Sequence, residues 1–270
     1  MVRLISFLIG LGFIAAVGVA LIVSLGGLGG ATEESAQEAL YKHPKELELA
    51  SNGLFGKFNM QQVQRGFQVY QQVCSNCHSL SHVAFRDLRK IGYTEAEVKK
   101  IAADWQTKAQ TFDPKTGDRG ERPNTPADKF PTVYYPGQGN PPDLSLIVKA
   151  RHDGAGYVHS LLTGYRDMTP AEMKRFPAAK TPDGLYFNPY FPNLNIAMPP
   201  PLAEGAVTYA DGTKSTVEQN SQDVAAFLVW AAEPELAERH RIGLMVMGFL
   251  LIATVLAYGA YRNIWRDLKH

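Results

Sequence analysis

The apolar residues of this 270-residue chain are heaped at its two ends. From Leu4 to Thr32, and again from Ile242 to Tyr261, there is no charged residue. As a helix rising about 1.5 Å per residue, either run can cross a hydrocarbon core of about 30 Å. Lipid offers the backbone no hydrogen-bond partner, so a lone spanning segment must be helical. Residues 1–31, with Arg3 in front and Gly29-Gly30-Ala31 behind, fit either a signal peptide or a retained N-terminal membrane anchor. Residues 242–261 are expected to be a transmembrane helix, with 32–241 forming a globular domain tethered to the membrane. The tail 262–270 carries Arg262, Arg266 and Lys269 against Asp267. The positive-inside tendency therefore puts the tail in the cytoplasm and the domain in the periplasm. An Arg- and Ser-rich leader of the mitochondrial kind is missing from the first residues, which points to a bacterial inner membrane.

Composition excludes several classes. With 45% hydrophobic and 20% charged residues the chain is not disordered. Its 27 Lys and Arg against 26 Asp and Glu leave a net charge of +1, too little for the basic face of a nucleic-acid binder.

The 2 cysteines fall in one motif, Cys74-Ser75-Asn76-Cys77-His78. A zinc site would want two further ligands at short spacing, and His82 alone does not complete a usual set. A thioredoxin-type pair would follow a strand, whereas Met60, Val63, Phe67, Tyr70 and Cys74 recur at helical spacing behind an Asn59 cap. C-x-x-C-H is the attachment signature of c-type haem: two thiols form thioethers and the histidine becomes the proximal axial ligand. The stripe is expected to be a helix, Asn59–His78, packed into the core with Met60 facing inward.

A six-coordinate haem needs a second ligand, and a thioether raises its potential. Met60 lies on the stripe, Met168 and Met173 in a charged surface stretch, Met245 and Met247 in the second apolar run. Met198 precedes Pro199-Pro200-Pro201, which exclude helix and hold the segment extended, a stiff loop able to present a thioether. His82, His152 and His159 are rival ligands.

Several segments resemble cytochrome c1, the haem subunit of the cytochrome bc1 complex. They are Arg65-Gly66-Phe67-Gln68-Val69-Tyr70 before the haem motif, Pro141-Pro142-Asp143-Leu144-Ser145, Ala150-Arg151-His152, and Ser160-Leu161-Leu162-Thr163-Gly164-Tyr165. Gly184-Leu185-Tyr186-Phe187-Asn188-Pro189-Tyr190-Phe191-Pro192, Met198-Pro199-Pro200 and Trp230-Ala231-Ala232-Glu233-Pro234-Glu235 continue the match. The resemblance implies one haem c on Cys74 and Cys77, with His78 and Met198 as axial ligands, Arg151 near a propionate and Tyr157 in the haem surround. It implies a redox subunit of ubiquinol–cytochrome c oxidoreductase, partnered by cytochrome b, a Rieske iron–sulfur donor and a c-type cytochrome acceptor, with quinol chemistry on partner subunits. A free-standing membrane-anchored monohaem carrier is the alternative; the long separation of His78 from Met198 disfavours it.

The expected architecture is mostly α: a cytochrome c-like domain with long loop insertions between His78 and Met198, plus a C-terminal transmembrane helix. Residues 32–58 read as a poorly structured lead-in. Thr94–Lys108 reads as a helix, 111–143 as an irregular loop, Leu144–His152 and Gly156–Thr163 as short helices, and Val207–Ser215 as a small hairpin. A last helix carrying Val224, Phe227, Leu228 and Trp230 is expected to cross the first near Gly66.

Overall fold

A computed structural model describes residues 2–27, 34–137 and 139–267, which fall into two units, Met1–Leu40 and Tyr41–His270. In the first unit, α1 (Val2–Gly27) takes up the N-terminal apolar run; its stretch Arg3–Ser24 has a mean hydropathy of 2.6. A short α2 follows at Ala36–Leu40. The expected cleavage site at Gly29-Gly30-Ala31 lies outside the described residues.

The second unit is built around α3 (Met60–Gln72). Asn59 caps it, its side chain accepting from the Gln62 N–H, and Val63, Phe67, Val69 and Tyr70 are buried. Burial of the stripe starts at Val63: Met60 is 42% exposed rather than core-facing. Helical side chains tilt toward the N-terminus, so a residue at the first position points past the helix end. A 3₁₀ segment at Phe85–Ile91 leads to α4 (Glu95–Asp104), opened by the expected Thr94/Glu97 capping box. The helix stops short of Lys108 because Trp105 turns out of it and buries against Phe85 and Phe130, with ring centroids at 5.5 and 4.9 Å.

Overlapping the start of the expected irregular stretch, the chain forms a hairpin, β1 (Ala109–Phe112) with β2 (Arg119–Arg122), in antiparallel register Ala109↔Arg122. Both strands lie largely in solvent, so no apolar alternation announces them; the ladder and the Asp113 N–H to Asp118 carbonyl bond hold the turn. The next helix, α5, is only Ile147–Ala150, since Leu144 and Ser145 are engaged by the loop after the haem motif. Then come α6 (Gly154–Thr163) and α7 (Pro170–Arg175). Met168, expected at the surface, is buried; it sits just before the Thr169 cap, where an apolar residue folds back on the first turn. Two short strands, β3 (Tyr186–Phe187) and β4 (Asn195–Ile196), pair antiparallel.

Residues 207–215 form no ladder. Val207 and Tyr209 are both buried, the Val207 N–H donates to the Ser215 hydroxyl and the Tyr209 hydroxyl donates to Asn220 at 2.8 Å. Side-chain captures replace the pairing that a hairpin would need.

The last two helices are α8 (Val217–Ala232) and α9 (Leu236–Trp265). Helix α8 crosses α3 at Gly66, as the sequence leads one to expect: a Cβ there would lie 2.0 Å from the Asp223 carbonyl oxygen. Phe67 and Tyr70 meet Phe227 with centroids 5.6 Å apart, closing an aromatic core that continues to Trp230. Beside the crossing, the Arg65 guanidinium holds the fully buried Asp223 carboxylate in a two-pronged contact at 2.8 and 3.1 Å. The protein is thus mostly α. Helix α9 carries the C-terminal apolar run, with a mean hydropathy of 2.2, and its apolar side chains face outward.

Candidate haem site

Helix α3 ends at Gln72, and the motif follows as a single 3₁₀ turn, Cys74–Asn76. The Cys77 and His78 N–H groups both donate to the Cys74 carbonyl, at 3.1 and 2.9 Å, which keeps the two thiols and the imidazole within one turn. The Tyr70 hydroxyl donates to the His78 carbonyl at 3.1 Å, fastening the turn back to α3. Cys74 and Cys77 are not joined to each other as a disulfide. Burial, with Cys77 alongside, pushes the Cys74 thiol up to about 12, the opposite direction from the low-pKa thiolate of a redox-exchange pair.

His78 Nδ1 lies 2.8 Å from the Pro142 carbonyl. A carbonyl only accepts, so Nδ1 carries the proton and Nε2 keeps its lone pair. Burial lowers the His78 pKa, against the opposing pull of Pro142 and Asp143, which favours the neutral form of the imidazole. A histidine ligand needs this arrangement: the outer nitrogen tied to a backbone carbonyl, the other free for metal.

The Pro142 carbonyl is in turn held in place. Asp143 accepts from the Ser81 N–H at 2.9 Å and the Ser145 N–H at 2.8 Å. The Leu144 N–H donates to the Ser79 carbonyl, the His82 N–H to the Ser145 hydroxyl, and the Val133 N–H to the Ser79 hydroxyl. Burial works against the Asp143 carboxylate, but the Ser145 and Ser81 hydrogen bonds outweigh it and keep its pKa below the usual range. These serines and Asp143 escape a search for ligands, because their contribution is to position a backbone carbonyl.

Met198 is half-buried two residues past β4, and the Tyr165 hydroxyl donates to its backbone carbonyl at 3.1 Å. Burial raises the Tyr165 phenol, and the nearby Tyr157 and Tyr186 act in the same sense. Tyr157 is buried; burial raises its phenol, and the nearby Arg151 guanidinium acts in the opposite sense. Tyr157, Tyr165 and the Met198 loop thus form one neighbourhood, with Arg151 at its edge. Arg151 is exposed and has no carboxylate partner among the described residues, whereas Arg166 is committed to Glu172 at 2.8 Å.

The rival histidines are otherwise engaged. His152 is exposed and pairs with Asp153; His82 is exposed beside the Ser81 hydroxyl. His159 is buried, with Nδ1 2.9 Å from the Ser221 hydroxyl and Nε2 3.3 Å from Glu218. Among the described residues no three His, Cys, Asp or Glu side chains cluster to hold a metal ion, so Cys74 and Cys77 have no zinc partners. A thiol pair in one turn with a neutral, oriented imidazole fits a covalently attached haem.

The model of the Cytochrome C1 family matches residues 49–268. The chain belongs to the cytochrome c1 family. It is 40% identical over 273 residues to "Cytochrome c1" of Rhodospirillum rubrum, covering 95% of this chain and 97% of that protein. It is 43% identical over 258 residues to "Cytochrome c1-2, heme protein, mitochondrial" of Solanum tuberosum, covering 90% and 94%. It is also 39% identical over 279 residues to "Cytochrome b/c1" of Bradyrhizobium diazoefficiens, covering 94% of this chain but 40% of that longer protein. As a cytochrome c1, the chain is the electron-transfer haem subunit of the bc1 complex, carries covalently bound haem c, and is anchored to the membrane.

Proposed function

We propose that Cys74 and Cys77 carry the two thioethers, that His78 Nε2 and the Met198 thioether are the axial ligands, and that the exposed Arg151 pairs with a haem propionate. The observation that carries this reading is the His78 Nδ1 to Pro142 carbonyl bond, which fixes the tautomer and aims the free nitrogen. Haem c supplies a one-electron couple. Cys74 and Cys77 tether it, His78 and Met198 set its potential, and the Arg151 guanidinium offsets propionate charge through charge-assisted hydrogen bonds. No side chain here needs to move a proton.

Cytochrome b is the membrane partner, in keeping with the "Cytochrome b/c1" relative. A Rieske iron–sulfur protein is the electron donor and a c-type cytochrome the acceptor, with quinol oxidation performed on the partner subunits. Mild-detergent purification from native membranes is expected to bring down cytochrome b and the Rieske protein, with quinol reducing this chain's haem. Acid–acetone should then leave that haem on the polypeptide. Haem in the organic phase would refute the thioethers, and recovery of the chain alone with unimpaired reduction in cells lacking cytochrome b would refute the assembly.

The main domain, 32–241, is periplasmic and residues 262–270 cytoplasmic, with 242–261 as the span and residues 1–31 as signal peptide or anchor. Arg262 and Arg266 at the end of α9 support this orientation. Alkaline phosphatase fused after His270 should be inactive and fused near Ala232 active; the reverse would overturn the orientation.

A further inference from the structure

The segment 49–57 is an ordered loop with an unusual tip. Leu49 and Ser51 are buried, the Asn52 side chain donates to the Leu47 carbonyl at 3.0 Å, and the Lys57 N–H donates to the Ala50 carbonyl at 2.8 Å. Gly56 closes the loop on itself: a Cβ there would lie 2.2 Å from the Ser51 carbonyl oxygen. At the tip, Leu54 is 63% exposed and Phe55 74% exposed. Internal hydrogen bonds thus hold two adjacent large apolar side chains in the open, where an ordinary loop would bury them or carry polar residues.

The loop is pinned to the membrane helix. His240 Nδ1 donates to the Gly56 carbonyl at 3.3 Å. His240 is two residues, about 3 Å along the helix, before the charge-free run that starts at Ile242. The tip therefore lies next to the place where α9 enters the bilayer.

Helix α9 itself is asymmetric. Its far end carries Tyr258 stacked on Tyr261 with centroids 6.4 Å apart and Trp265 tilted against Tyr261 at 6.2 Å, the kind of aromatic belt that sits at a headgroup boundary. Its first turns, from Leu236 to Gly248, contain no Trp, Tyr or Phe. The near boundary lacks an aromatic anchor from the helix, and Phe55 is at hand to supply one.

We infer that the Leu54–Phe55 tip inserts into the lipid interface beside the start of α9, as a second contact of the domain with the bilayer. The occupant is lipid, because the tip is continuous with a span whose side chains face outward and because a paired Leu and Phe, with Lys57 behind, suits an acyl–headgroup boundary. Such a contact would hold the domain at a set tilt over the membrane, where a single helix leaves it free to swing.

The test is photocross-linking in native membranes with Phe55→p-benzoylphenylalanine in the full chain, and Tyr134→p-benzoylphenylalanine as control. Tyr134 is 87% exposed, and its neighbour Val133 is tied to the loop after the haem motif. Irradiation is expected to add the mass of a phospholipid to the peptide bearing residue 55 and to leave the residue 134 peptide free of lipid. A residue 55 cross-link to any polypeptide, this chain or another subunit, would overturn the inference in favour of a protein interface. Absence of both adducts at 55 would show a tip facing water and overturn it equally. Both positions are exposed, so haem content should match that of the unsubstituted protein in both variants.

Discussion

Met198→Leu is expected to lower the midpoint potential by on the order of hundreds of millivolts, a large part of the roughly 0.8 V span over which axial ligation sets haem potentials. The thioether is a weak donor that favours the reduced iron, and leucine fills similar space without a lone pair. The fold should tolerate the change. The Met198 loop is held by its backbone, through the Tyr165 hydroxyl and the β3–β4 pairing just before it, so a side-chain exchange leaves those bonds intact. An open sixth position would bind carbon monoxide in the reduced protein. Redox titration and the carbon monoxide difference spectrum together decide the matter. A wild-type potential with no carbon monoxide adduct would assign the ligand to another residue. His159→Leu provides the contrast: with both ring nitrogens near Ser221 and Glu218, its loss should affect packing between α6 and α8 and leave the potential nearly unchanged.

Gly66→Val is expected to be the most destabilising single change in the domain, costing on the order of 3 kcal/mol or more, out of the 5–15 kcal/mol typical of whole domains. The added Cβ would lie 2.0 Å from the Asp223 carbonyl oxygen, 2.6 Å from its carbonyl carbon and 2.6 Å from Phe227 Cβ. Two of these are backbone atoms inside α8, which cannot swing aside as a side chain end could. Moving the helices apart would also open the Phe67–Phe227 and Tyr70–Phe227 contacts and stretch the Arg65 grip on Asp223. A buried carboxylate deprived of its partner is itself costly, about 3–5 kcal/mol. Thermal unfolding of the haem-loaded protein checks this, and a melting temperature within a degree or two of wild type would contradict it.

Much of the architecture is written locally. The haem motif, the Asn59 and Thr94 caps, the two apolar runs and the close approach at Gly66 each depend on residue types at short spacing. Such features follow from the hydrogen-bonding or steric needs of one turn or one helix, so they can be read without knowing what lies elsewhere. Helix ends and surface strands were less legible. The β1–β2 hairpin carries no apolar alternation, and α4 ends where Trp105 finds an aromatic cluster made by Phe85 and Phe130.

By itself the sequence determined the chemistry: two thiols and an imidazole in register for a haem, a thioether in a proline-stiffened loop, and a tethered helical domain. Only the tertiary structure decided which groups make that chemistry selective. Orientation of His78 comes from the carbonyl of Pro142, set by Asp143, Ser79, Ser81 and Ser145 across a gap of more than sixty residues. His159 is engaged by Ser221 and Glu218 on another helix, and the loop bearing Leu54 and Phe55 is tied at Gly56 to His240, 184 residues away. A backbone carbonyl leaves no signature in residue identity, and a long-range hydrogen bond has no fixed spacing. Both become visible only when packing brings the partners together.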